Sequence, residues 1–165
     1  MQKNNNLNSK LHFGLNNFLE YLNIYFGLIG QNNPNNSIVK IYSSVTIQNG
    51  LIIHATNNYY GKPCYSNVAV AMNFEELSEY TSDQGICYGQ VCLLAKIELG
   101  AKIFNLALIQ WYDFKSKKNP FYYGCPRLQL TELYNIIDIE AIKDNVHIIP
   151  RFDKINDYLV NKYIF

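Results

Sequence analysis

Apolar and polar positions alternate with period two along Ile86–Phe114, ICYGQVCLLAKIELGAKIFNLALIQWYDF, and the rest of the chain is organised around this stretch. Val91, Leu93, Ala95 and Ile97 fall on one face of an extended backbone. Gln90, Cys92, Leu94, Lys96 and Glu98 fall on the other, the pattern of a half-buried strand. In the return segment Phe104, Leu106 and Leu108 share one side, and Ile103, Ala107, Ile109 and Trp111 the other. Both sides are apolar, which predicts a strand covered on both faces. Leu99-Gly100-Ala101-Lys102 joins the two segments, and Gly100 can take the positive φ that a short connection needs. The stretch is therefore read as a β-hairpin. Trp111 is expected in the core. Tyr112 points to the opposite face and is open to a core or a pocket role.

Upstream, Leu15, Phe18, Leu19, Leu22, Tyr25 and Phe26 recur at spacings of three and four. They predict one amphipathic helix over 11–27, after a disordered polar segment over 1–10. Asn33-Pro34-Asn35 marks a loop. From Ser37 onward short strands follow: Ile38–Tyr42, a hairpin about Asn49-Gly50 with a primed turn, and Asn67–Met72. Asn57–Pro63 reads as irregular. Phe74–Leu77 reads as a helical turn and Thr81–Gly85 as a loop. Ser116–Pro126 reads as a long loop, with Phe121, Tyr122 and Tyr123 folded back as a lid or free to bind. Tyr134–Asp138, a tight turn at Glu140–Ile142 and a last strand at Val146–Ile149 close the series. The apolar tail Tyr158–Phe165 is expected to seek a partner surface. Residues 38–165 form one domain without internal repeats. The expected fold class is mainly β: a small antiparallel, partly open, SH3-like or BAH-like barrel with one N-terminal amphipathic helix.

The chain has 165 residues, 48% of them hydrophobic and 16% charged, which supports a real core and excludes general disorder. With 14 basic and 13 acidic residues the net charge is +1. Lys115, Lys117 and Lys118 make the one tight basic cluster, so binding of nucleic acid by charge alone has little support. The abundance of Asn, Ile, Lys, Tyr and Phe is also what AT-rich codons give. Cys64, Cys87, Cys92 and Cys125 form no CxxC, and His12, His54 and His147 lie far apart. Isolated thiols in a reducing compartment, no metal and no cofactor are expected. His147, between Val146 and Ile148, reads as a core or rim histidine of the late strand. No secretory leader and no membrane span is visible, so an intracellular protein is expected. No nucleophile, base and carboxylate stand at motif spacing, and no GxGxxG or P-loop occurs. Asp83, Glu98 and Asp113 are spread over loops and strand ends. The chain is read as non-enzymatic.

Several phrases in order carry a resemblance: VKIY at 39–42, LIIHAT at 51–56, SNVAVA at 66–71, YGQVCLL at 88–94, LALIQWY at 106–112, IIDIEAI at 136–142, VHIIPRF at 146–152 and LVNKY at 159–163. Over about residues 38–163 the chain resembles the region after the catalytic core in fungal Plavaka-type transposases, relatives of the CACTA DNA transposons. In that family the catalytic carboxylates belong to an upstream ribonuclease-H-like domain, which this chain does not hold. The resemblance implies an accessory C-terminal module and a nuclear location. The chain departs from the family in a shorter loop after Ile47. It also lacks the histidines that often follow the Asn-Lys-Tyr phrase.

Two binding surfaces are expected from these readings. In the first, Tyr88, Tyr112, Phe121 and Tyr122 form an aromatic barrel rim that takes a protein or chromatin peptide, as the hairpin's similarity to chromatin-reading BAH domains suggests. In the second, Lys115, Lys117, Lys118 and Arg127 contact the phosphates of DNA. Neither ligand nor oligomeric state is legible in the sequence.

Overall fold

In the computed structural model, residues 5–28, 30, 37–71 and 85–162 are described. Helix α1 (Asn5–Leu28) is followed by β1 (Ile38–Tyr42), β2 (Ser44–Thr46), β3 (Ile52–Tyr59), β4 (Lys62–Tyr65), β5 (Asn67–Ala71) and β6 (Ile86–Leu99). Then come β7 (Lys102–Phe114), β8 (Phe121–Tyr122), β9 (Cys125–Asp138), β10 (Ile142–Asn145), β11 (Ile148–Pro150) and β12 (Tyr158–Val160). One 3-10 turn, Ile139–Ala141, joins β9 to β10. The helical turn expected at Phe74–Leu77 lies outside the described residues, as does most of the loop expected at Thr81–Gly85.

The main sheet runs β10-β5-β6-β7-β9-β12-β11, antiparallel throughout. β5 pairs residues 86–90 of β6 and β1 pairs residues 94–98, so the two share one edge of the long strand. β8 pairs the start of β9, and β2, β3 and β4 form a second small sheet. The sheet curls into a half-barrel: the fold is mainly β, a partly open antiparallel barrel with one N-terminal helix, as expected.

The central hairpin forms as the alternation dictates. Leu99 pairs Lys102, and Gly100 alone in the connection has positive φ, at 60°. That geometry fits a type II′ turn with glycine first. One detail departs from strict alternation. The ladder slips between Val91 and Leu93, a β-bulge at Cys92. Cys92 therefore joins Leu93, Ala95 and Ile97 beneath the helix, while Val91 packs with Leu94, Ala107, Ile109 and Trp111 on the opposite face. A bulge adds one residue to one strand and so turns every earlier side chain over.

Three apolar clusters result. The first lies under α1, which buries Phe18, Leu22, Tyr25 and Phe26 against β6, β7 and β9. Leu15 and Leu19, expected in the stripe, are exposed, so the buried face is narrower than the periodicity suggests. The helix begins at Asn5, ahead of the start expected at Leu11. Tyr25 donates to Asp138 Oδ1 at 2.5 Å and ties the helix end to β9. Burial and that carboxylate push the Tyr25 phenol well above its ordinary range. The second cluster fills the opposite face around Ile53, Val68 and Trp111, whose Nε1 donates to Asn135 Oδ1 at 2.9 Å. The third joins Tyr88, Tyr112, Phe114, Leu128, Ile148 and Val160.

Other local expectations are corrected. Asn57–Pro63 is not irregular but a hairpin, because β3 runs to Tyr59 and turns through Tyr60-Gly61 into β4. At Asn49-Gly50 only Gly50 has positive φ, with Gly50 N–H donating to Ile47 O. This is a three-residue connection, not a two-residue primed turn. His147 sits between β10 and β11, its carbonyl accepting from Asn161 N–H at 2.8 Å. The tail is not unpartnered as far as Val160: β12 pairs both β9 and β11, and Val160 is buried.

Candidate functional site

The β8–β9 hairpin projects from the sheet just after β7, and the segment 151–157 lies beside it. Residues 115–127 and 151–162 contain seven cations (Lys115, Lys117, Lys118, Arg127, Arg151, Lys154, Lys162) and two carboxylates (Asp153, Asp157), a net +5 against +1 for the whole chain. Sequence distance hides this patch, because four of its cations come from the first segment and three from the second.

Asp157 is the pin of the arrangement. Its carboxylate is buried and accepts from Arg127 Nε at 3.0 and 3.1 Å and from Arg127 Nη2 at 2.6 Å. Arg151 Nη1 donates to the same group at 3.3 Å. A buried charge is retained only when paired in this way. The Arg127 hydrogen bonds hold the Asp157 carboxyl below the usual carboxylate range against the opposing effect of burial, and the charges of Arg127, Arg151 and Lys115 add to them. Asn156 takes a left-handed backbone, φ 48°, and its side chain both accepts from Leu130 N–H at 2.8 Å and donates to Leu130 O at 3.0 Å. Lys115 Nζ donates to the carbonyls of Ile155 and Asn156 at 3.4 and 3.1 Å. The loop is thus fixed at three points, yet Phe152 and Ile155 are each 93% exposed. Large apolar side chains presented on a pinned loop are an interaction feature rather than a packing one.

The hairpin supplies the aromatic half. Phe121 and Tyr122 are exposed, with Phe121 edge-on to Phe114 at 6.0 Å. Arg151 lies 4.6 Å from the Tyr122 ring centre, and Lys162 lies 5.9 Å from that of Phe121. Tyr123 stands at the tip and is exposed, whereas Phe121 leans back on the buried Phe114.

The two expected surfaces therefore converge in part. Phe121 and Tyr122 sit beside Lys115 and Arg127, with Lys117 and Lys118 in the loop between β7 and β8. Tyr88 and Tyr112 are not rim residues. They are 6% and 8% exposed in the third cluster, where β11 and β12 cover them. Tyr112 donates to Asn67 Oδ1 at 3.0 Å and meets Tyr158 edge-on at 5.5 Å. Burial first, and then Tyr158, raises its phenol far above the ordinary value. Tyr88 forms part of the wall of a hollow of about 620 Å³ that includes His147 and Lys143. Lys115 donates to carbonyls of the 151–157 loop and Arg127 to Asp157. Sequence reading missed Arg151, Phe152 and Ile155. The available signal was two isolated apolar residues inside the turn-rich run Asp153–Asp157 and its flank.

Among the described residues, no group of three His, Cys, Asp or Glu side chains could hold a metal ion, and no helix is long and apolar enough to cross a membrane. Comparison with known proteins finds no matching family model, no matching curated protein and no matching solved structure.

Proposed function

We propose that the protein is a non-enzymatic interaction module that binds an acidic protein surface of chromatin through the β8–β9 hairpin and the 151–157 loop. One observation carries the reading: a rigidly pinned loop exposes Phe152 and Ile155 beside exposed aromatics, within a local net charge of +5. Apolar anchors ringed by cations suit a protein that offers carboxylates around an apolar patch. The resemblance to the C-terminal region of Plavaka-type transposases supports an accessory, transposase-derived role in the nucleus.

A second reading, an accessory DNA-binding domain, draws on Lys117 and Lys118, which lie in the same patch. Fluorescence-anisotropy titration against mononucleosomes and free DNA of equal length, at two salt concentrations, separates the two. Preference for nucleosomes that survives added salt supports protein contact. Equal binding to both that falls steeply with salt supports the DNA reading. Binding to neither overturns both.

A further inference from the structure

The phrase Tyr-Tyr-Gly-x-Pro occurs twice, at Tyr59–Pro63 and Tyr122–Pro126. Both copies are hairpin tips: Tyr59 pairs Lys62 across β3–β4, and Tyr122 pairs Cys125 across β8–β9. In both, the second tyrosine and the glycine have positive φ, 50° and 77° at Tyr60-Gly61 and 49° and 73° at Tyr123-Gly124. This is a type I′ turn, whose first position favours Asn, Asp or Gly. At the one other non-glycine position with positive φ among the described residues, the chain uses asparagine, Asn156.

The tyrosines gain little burial in exchange. Tyr60 is 91% exposed and Tyr123 81%. Each stands edge-on to the tyrosine before it, at 4.7 and 4.5 Å and 76° in both. The inner tyrosine in turn carries a nitrogen-bearing side chain: the His54 ring 4.5 Å from that of Tyr59, and Arg151 4.6 Å from that of Tyr122. Two distant segments have the same build, down to a left-handed backbone at the outer tyrosine, which residues other than glycine seldom adopt. A side chain held in unfavoured geometry and left in solvent points to use rather than packing.

We infer that the Tyr60 tip is a second contact point of the same kind as the Tyr123 tip, and that both outer tyrosines are binding residues kept at a cost in stability. The partner is a protein surface, which tyrosine engages with a large rigid area and few rotatable bonds. The inference rests on the reading of the β8–β9 end given above and extends it to a second element. Tyr60→Asn and Tyr123→Asn test it, by urea unfolding followed through the single Trp111 and by titration against mononucleosomes. Unfolding midpoints at or above wild type, with affinity about tenfold weaker in each variant, are the expected result. A lowered midpoint overturns the inference whatever binding does, because the tyrosines then stabilise the turns. Full affinity in Tyr60→Asn overturns the second contact point and leaves the β8–β9 reading standing. A wild type that does not bind nucleosomes overturns both.

Discussion

Arg127 on β9 and Asp157 before β12 close on each other through three hydrogen bonds, the shortest 2.6 Å from Nη2 to Oδ2. The pair fixes the loop that carries the exposed anchors, so its protonation governs the site. The Asp157 carboxyl titrates below its unfolded value, with Arg127 the leading cause. Its contribution is therefore complete above the unfolded carboxylate pKa of about 3.9 and is lost as pH falls through the lower folded value. The gap in urea midpoint between wild type and Asp157→Asn is expected to be constant from about pH 5 to 7 and to narrow below about pH 4. A gap unchanged at the lowest pH would contradict this account.

The anchors themselves should be separable from the fold. Phe152→Ala and Ile155→Ala remove side chains that touch little of the protein, so each is expected to change stability by less than about 0.5 kcal/mol. The double variant is expected to weaken nucleosome binding by about tenfold or more. Parallel thermal melts and titrations check both halves.

Tyr112 behaves in the opposite way. Tyr112→Phe loses the bond to Asn67 and should cost about 1 kcal/mol. Tyr112→Ala opens a cavity beside Leu128 and Ile148 and should cost about 3–5 kcal/mol. Urea unfolding measures both. A stable, folded Tyr112→Ala protein with impaired binding would restore Tyr112 to the ligand surface.

Gly89 opposes Trp111 across β6–β7. A Cβ at Gly89 would come 2.2 Å from Ile109 Cγ2 and 3.3 Å from both the Gln110 carbonyl oxygen and Trp111 Cε3. Gly89→Ala is expected to cost about 1–3 kcal/mol by overpacking the second cluster, and to shift the emission of the buried Trp111. An unchanged spectrum and midpoint would show that the strand relaxes away from the contact.

The hairpin was legible because period-two alternation and one glycine are local signals, and local hydrogen bonding answers to them. The bulge at Cys92 was not, since Val91 to Ala95 are all apolar or sulfur-bearing and no polar residue marks the change of face. The burial of Tyr88 and Tyr112 depends on β11 and β12, which arrive from residues 148–160. An aromatic at a strand end carries no signal of what will cover it. The candidate site was half legible for the same reason. Phe121, Tyr122 and the lysines stand together in one segment, whereas Arg151, Phe152 and Ile155 are brought to them by Asp157. The twice-used hairpin phrase is five residues long, below what a search for repeated domains reveals.

The order of pairing along the sheet also bears on how the chain acquires its shape. β6 and β7 meet through a two-residue connection and zip outward from Leu99 and Lys102 to Gly89 and Trp111. The sheet margin needs Val68 to find Asn145, with nearly half of the chain between them. Short-range contacts cost little chain entropy, so the central hairpin is the natural nucleus and the β5–β10 margin closes late. Conservative truncations at Leu93 or Leu108 should slow folding, with φ-values well above those at Val68 or Ile142, where the same change should chiefly speed unfolding.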